Sequence, residues 1–286
     1  MCSERQAAVR LEGVSFAYGE RAVLSGLDLM VEKGLVTALI DPNGCGKSTT
    51  VKLVNAMLCP SSGRVEVFGR SVADYGRKEL ARNVAVLGQG VSVPSMEVGQ
   101  LVMAGRFPHR GLLAPPTDED RRIVREAMAR AGVERFTGSD VNALSGGERQ
   151  RVHLAMVLAQ QAPIVIMGEP TTYMDVAACY DLMAIARELN ADGTTVLMVL
   201  HDLNLALACC DRVALLRDGR LAAGRTPGDV VASGEVERTF GIRLRSVEED
   251  GRRYWCTLPA RRTRHLCWGP RTNTSSSGFD RCGQNA

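Results

Sequence analysis

Short apolar runs bounded by turn residues recur along this chain, and between them apolar positions fall at helical spacing. The segment VRLEGVSFAYG alternates from residue 9. LVTALI (35–40) is a compact run of β-forming residues between Gly34 and Asp41-Pro42. A helix is predicted from Lys47 to about Leu58, where CPSSG stops it. GRVEVFG and NVAVLGQ (83–89) read as two further short strands. From about 96 to 138 the pattern turns helical and polar, interrupted at FPHRGLLAPPTDED. The helix TDEDRRIVREAMARAG carries its acids in the first turn, where the helix dipole favours them. After LSGGERQ a helix runs to about Gln161, with Val152, Ala155, Met156 and Ala159 on one buried face. Strand IVIM (164–167), helix 176–190, strand TTVLMVL (194–200), helix 203–209 and strand RVALLRDG follow. Strands alternating with helices predict an α/β fold with a parallel sheet covered on both faces. No internal repeat appears at solenoid spacing.

Composition narrows the function classes. The 286 residues are 45% apolar and 23% charged, with a net charge of +3. These are ordinary values for a globular protein, and the charge is too small to argue for nucleic acid. No apolar run reaches the ~18 residues needed to cross a bilayer. The start MCSERQ lacks the order of a signal peptide, so a cytosolic protein is expected, with any membrane role carried by a partner. The nine cysteines are odd in number and show no CxxC spacing, which predicts free thiols. His109 is read as a loop residue and His153 as a helix-face residue, and Met96, Met103, Met128 and Met156 as core or interface. The last ~45 residues change character. Residues 252–271 hold six Arg, and RTNTSSSGFDRCGQNA reads as a solvated, disordered tail.

The candidate chemistry begins at DPNGCGKS (41–48), which follows a strand and opens a helix. From its second position on, this fits the phosphate-loop pattern G-x-x-x-x-G-K-[ST] in its required context. Gly44 and Gly46 let backbone amides turn toward phosphate oxygens, and the helix start adds its positive dipole end. Lys47 can reach the β- and γ-phosphates, and Ser48 can ligate magnesium. The first position does not fit, because Asp41 stands where the pattern has Gly. A carboxylate ~7 Å from a phosphate charge costs on the order of 2 kcal/mol at an effective dielectric of about 20.

In LSGGERQ (144–150), Ser145 and Glu148 form a capping box, and Gly146 and Gly147 leave bare amides where an anion can sit. IVIMGEP (164–170) is an apolar strand ending in Glu169, a residue able to orient a water for attack on phosphorus. His201 lies just past another strand. Gln89, Glu169 and His201 are all predicted at strand carboxyl ends, where open parallel sheets collect ligands.

Together these residues resemble the ATP-binding-cassette family of ATPases over about residues 9–230. DPNGCGKS is similar to the Walker A loop, Gln89 to the Q-loop, and LSGGERQ to the family signature. IVIMGEP is similar to Walker B, TTYMD (171–175) to the D-loop, His201 to the switch histidine, and Tyr18 in FAYG to the aromatic that stacks on adenine. The resemblance implies a P-loop NTPase fold with a mostly parallel sheet, an antiparallel β subdomain and a helical subdomain at about 96–150. The cassette would span 8–240, with a partly disordered extension at 241–286. ATP and Mg2+ are the implied cofactors. Tyr18, Asn43, Gly44, Cys45, Gly46, Lys47, Ser48 and Thr49 would hold the nucleotide on one side, and Ser145, Gly146 and Gly147 of a second, head-to-tail copy would hold it on the other. Ser48 and Gln89 would face magnesium, and Glu169, His201 and Gln89 would serve catalysis. AGRFPHRG, AMVLAQ, TTYMD and LHDLN further resemble the ATPase subunits of ferric-siderophore, haem and cobalamin importers. That implies permease subunits as partners, an extracytoplasmic substrate-binding protein acting indirectly, no nucleic acid, and a place on the cytoplasmic face of the membrane.

The family's Walker B ends in Asp-Glu, and here the Asp position is Gly168. Asp41 and Gly168 both strike the phosphate–magnesium centre, so weakened hydrolysis is expected. On the family's fold the strands ending at 40 and 167 are taken as neighbours, which would let Asp41 stand in for the missing magnesium partner. The alternative class is a non-hydrolysing, regulatory or decayed nucleotide-binding cassette. A cassette protein of translation, DNA repair or cluster assembly is disfavoured by the single set of motifs.

Overall fold

The computed structural model describes residues 6–42, 44–88, 94–111, 114–170, 175–249 and 252–260. The chain opens with two long strands, β1 (Ala7–Tyr18) and β2 (Arg21–Glu32), then β3 (Val36–Ile40), helix α1 (Lys47–Val54), β4 (Ser62–Val67) and β5 (Arg70–Ser71). Next come α2 (Arg77–Asn83), β6 (Val84–Leu87), α3 (Val98–Ala104), α4 (Asp118–Arg130), α5 (Gly146–Gln160) and β7 (Ile164–Gly168). Helix α6 (Val176–Ala191), β8 (Thr195–Val199), α7 (Leu203–Cys209), β9 (Arg212–Arg217) and β10 (Arg220–Arg225) complete the main sheet. Helices α8 (Pro227–Ala232) and α9 (Glu235–Phe240) lead to a hairpin of β11 (Ile242–Glu249) and β12 (Arg252–Pro259).

The main sheet has the order β10-β9-β3-β8-β7-β6. Its strands pair in parallel except β10, which closes one edge antiparallel to β9. Alternate residues of each central strand enter opposite cores. Val36, Ala38 and Ile40 of β3, Val165 and Met167 of β7, and Val196 and Met198 of β8 pack with the buried faces of α3 to α7. Leu39, Ile164, Ile166, Leu197 and Val199 pack instead with α1 and the antiparallel sheet β2-β1-β4-β5. Burial on both faces explains why these strands read as continuous apolar runs. The α/β fold with a mostly parallel sheet, an antiparallel β portion and a helical portion stands as expected. One expected relation does not. The strands ending at 40 and 167 are not neighbours, because β8 lies between β3 and β7.

Helices α3, α4 and α5 pack on one another. A Cβ at Gly105 would overlap the Met156 carbonyl oxygen, so only glycine permits this approach of α3 to α5. Helix α4 starts with a capping box of Thr117 and Asp120, with acids at 118 to 120 as the pattern predicted. Helix α5 is buried more widely than one face. His153, Leu154, Val157 and Leu158 are inside along with Val152, Ala155 and Ala159. His153 is therefore an interior residue, and its Nε2 has no partner. Burial, then the Arg149 charge, holds its pKa below the usual imidazole value. His109 does sit in a short turn, with Nε2 2.8 Å from the Gln160 carbonyl oxygen. Met128 is buried, and Met96, Met103 and Met156 pack against the same core. Among the described residues no disulfide joins the cysteines, as the spacing predicts. The hairpin β11-β12 occupies a stretch for which the pattern predicted no element. The stretch read as a disordered tail lies outside the described residues, and among those residues no helix is long and apolar enough to cross a membrane.

A buried ion pair ties the three-helix unit together. Arg106 Nε donates to Asp120 Oδ1 at 2.9 Å, and its Nη1 donates to the Ala159 carbonyl oxygen at 2.9 Å and to Gln161 Oε1 at 3.1 Å. Burial acts to raise the Asp120 pKa, but hydrogen bonds from Arg106 and then from the Thr117 hydroxyl and amide outweigh it and hold it at about 2. Removing the guanidinium strands a buried carboxylate. Arg106→Ala is expected to cost about 3–5 kcal/mol of unfolding free energy in urea denaturation at neutral pH. The depressed pKa sets the sign of the pH effect. The Asp120 contribution is complete above its unfolded value of 3.8 and is lost as pH falls toward 2. The gap between native and variant stability should narrow over that acid range.

Candidate functional site

The carboxyl ends of β3, β7 and β8 open on a cleft of about 380 Å³ beside the tip of the β1-β2 hairpin. It is lined by Tyr18, Arg21, Val23, Asp41, Gly44, Gly46, Lys47, Ser48, Thr49, Glu169 and His201. The loop after β3 turns at Gly44 (φ +81°) and Gly46 (φ +107°), a backbone region that side-chain-bearing residues rarely adopt. A Cβ at Gly46 would also overlap the Leu24 side chain. Gly46 is the N-cap of α1, and no side chain caps the helix. The start of α1 thus lines the cleft with the positive end of the helix dipole, a fit to phosphate oxygens. Tyr18 is half exposed at the hairpin tip and meets Phe16 edge-on, with ring centroids 4.9 Å apart.

Asp41 is turned inward. Its Oδ2 accepts a hydrogen bond from the Cys45 amide at 3.0 Å, and its Oδ1 is paired with Lys47 Nζ. Both side chains are almost fully buried. Burial lowers the Lys47 pKa to about 8, against an opposing pull from Glu169. Across the cleft, Glu169 follows β7 with φ +49°, a strained backbone for a glutamate. His201, just past β8, places Nε2 2.9 Å from Glu169 Oε2. Gly168 ends β7, and a Cβ there would meet the Leu87 carbonyl oxygen at 3.3 Å.

Ser145, Gly146 and Gly147 lie outside this cleft's lining. Ser145 caps α5. Its Oγ accepts from the Glu148 amide at 3.4 Å, and Glu148 Oε2 accepts from the Ser145 amide at 3.0 Å. The Ser145 hydroxyl, then its amide, holds the Glu148 pKa below the usual range. Among the described residues a Cβ on Gly146 or Gly147 would meet nothing within 4 Å, so their packing does not demand glycine there. Gln150 on the same helix donates to the Pro170 carbonyl oxygen at 2.6 Å, linking α5 to the segment after Glu169.

The structure therefore brings together Tyr18, Gly44, Gly46, Lys47, Ser48, Thr49, Glu169 and His201, with Cys45 on the loop itself. Asn43, Gln89 and residues 171–174 lie outside the described residues. Arg21 and Val23 were not anticipated, and their only sequence signal is proximity to Tyr18 across a tight turn. The idea that Asp41 substitutes for the carboxylate missing at 168 loses its footing, because its oxygens are engaged by Cys45 and Lys47 and the two strands are not adjacent.

Comparison with known proteins agrees with this arrangement. The profile of a family described as ABC transporter matches residues 24–172. The chain is 44% identical over 229 residues to a hemin import ATP-binding protein of Streptomyces coelicolor, covering 80% of this chain and 81% of the relative. It is 36% identical over 249 residues to the ferric enterobactin transport ATP-binding protein of Escherichia coli, covering 86% and 92%. Among solved structures, the dimeric bacterial ABC transporter cassette MJ0796 superposes with a TM-score of 0.69 at 28% identity, covering 77% of this chain and 98% of that one. The chain belongs to the ATP-binding-cassette (ABC) transporter family.

Proposed function

We propose that this chain is the ATP-binding subunit of an importer for an iron-siderophore, haem or related metal chelate, coupling ATP binding and hydrolysis to transport through membrane permease subunits. One observation carries the nucleotide reading: a glycine-turned loop and an uncapped helix start face the Glu169–His201 pair across one cleft. The import reading is supported by relatives whose names specify hemin import and ferric enterobactin transport.

On this reading residues 8–240 are the cassette, with the helical subdomain at about 96–150 turned toward the permease, and residues 241–286 are an extension. The amides of the loop, Lys47 and Thr49 hold the phosphates, and Tyr18 supports the base. Ser48 and Gln89 are the residues that would hold magnesium. Among the described residues no group of three or more His, Cys, Asp or Glu is placed to hold a metal ion alone. Bound MgATP supplies the phosphoanhydride bond whose cleavage resets the transporter. Glu169 orients and deprotonates the attacking water, and His201 fixes the Glu169 carboxylate through the 2.9 Å contact. Ser145, Gly146 and Gly147 of a second copy seal the cleft head to tail. Packing among the described residues does not require glycine at 146 or 147, which supports an occupant from outside. The protein then sits at the cytoplasmic face of the membrane through its permease, with a substrate-binding protein engaged only indirectly.

Hydrolysis is weakened, because Lys47 is engaged by Asp41 and position 168 offers no carboxylate. The same two observations favour a second reading, a non-hydrolysing regulatory cassette. The test is co-purification of the tagged chain with permease subunits, followed by phosphate release from MgATP by the complex. Permease association with slow but chelate-stimulated turnover supports the first reading. Association with no turnover under any condition supports the second, and no association removes the transport reading.

A further inference from the structure

We propose that Asp41 is a built-in competitor for the phosphate cradle: its carboxylate holds Lys47, and a phosphate chain must take Lys47 from it. The inference deepens the nucleotide-binding reading above and rests on it. Asp41 occupies the first position of the loop, directly after β3, and its side chain is 1% exposed while that of Lys47 is 3% exposed. One carboxylate oxygen takes the Cys45 amide at 3.0 Å and the other takes the Lys47 ammonium. A loop amide and the loop lysine are the donors that such a loop offers to phosphate oxygens. The carboxylate is thus an anionic acceptor tethered inside an anion site.

The charges around the cleft fit that role. Arg21 and Lys47 face Asp41 and Glu169, so the formal charges lining it cancel before any ligand arrives. With glycine at position 41 the lining would carry a net positive charge toward an anionic nucleotide. Carboxylate and phosphate also cannot share one ammonium at close range without repulsion, which at a few ångströms is worth on the order of tenfold to a hundredfold in binding. Asp41 therefore sets the nucleotide concentration at which the loop loads.

The experiment is a double-mutant cycle on the full chain, with ATP and ADP affinities measured by isothermal titration calorimetry. The chains compared are native, Asp41→Asn, Lys47→Gln and the combination, with Asp41→Gly as a second probe of position 41 should the asparagine variant fold poorly. Loss of the carboxylate charge should tighten ATP binding on the order of tenfold to a hundredfold. Lys47→Gln should cost the native chain little, because its lysine is already engaged, and cost the Asp41→Asn chain more than about tenfold. Equal ATP affinity in native, Asp41→Asn and Asp41→Gly chains overturns the competitor while leaving the nucleotide-binding reading intact. So does an equal cost of Lys47→Gln in both backgrounds. No binding by any variant overturns both.

Discussion

The double variant Asp41→Gly, Gly168→Asp is expected to hydrolyse ATP on the order of a hundredfold faster than the native chain, or more. Each change acts on a different group. Glycine at 41 releases Lys47 and the Cys45 amide from the carboxylate that now engages them. Aspartate at 168 returns a carboxylate to the end of β7, next to Glu169, where it can anchor the hydration shell of magnesium. The new Cβ would lie 3.3 Å from the Leu87 carbonyl oxygen, so β6 must give by a few tenths of an ångström to receive it. Neither single change should achieve much turnover. Asp41→Gly alone loads nucleotide but leaves magnesium without its anchor. Gly168→Asp alone adds a third carboxylate to a cleft that already holds Asp41 and Glu169, and should weaken nucleotide binding. The gain is therefore strongly non-additive, the signature of groups acting on one centre. Phosphate release at saturating MgATP measures it. A native chain already as fast as the double variant would show that neither position limits the reaction.

Residues 36–40, 164–168 and 195–199 are readable as strands because each is buried along nearly its whole length and so carries no charged residue. The hairpin at 242–259 is not. Most of its described residues are half-buried or exposed, and several are arginines, so no alternation of apolar and polar positions marks it. Helices α8 and α9 are six residues each, too short to form without packing and too short to show a period. Strand order also escapes linear reading. The insertion of β8 between β3 and β7 comes from a chain crossover that no local pattern encodes. At the candidate site, the loop, the cap at Ser145 and the strand-end Glu169 were legible because local spacing carries their chemistry. The engagement of Asp41 by Lys47 was not, because it depends on how two side chains six residues apart turn within a folded loop. His153 illustrates the same limit. Its helical position was clear, but the burial of α5 on more than one side depends on what packs around it.

Glu169→Gln, made in the Asp41→Gly, Gly168→Asp background where turnover is large enough to lose, should lower hydrolysis by about 10²–10⁴-fold while ATP affinity changes little. The substitution keeps the shape and the hydrogen-bonding reach of the side chain but removes its capacity to accept a proton from water. Glu169 is suited to that task by where the fold puts it. Its backbone is held at φ +49° at the mouth of β7, and its carboxylate meets His201 Nε2 at 2.9 Å. A strained backbone retained at such a point marks a side chain aimed by its surroundings. His201→Ala separates aiming from proton transfer. It leaves the Glu169 carboxylate in place but removes its hydrogen-bonded neighbour, so turnover should fall by less than with Glu169→Gln. The glutamine variant should also accumulate a nucleotide-bound dimer, because the cleft closes on ATP that it can no longer cleave. Size-exclusion chromatography with MgATP reads that species directly. Turnover left intact in the glutamine variant would move the proton acceptor to another residue of the cleft.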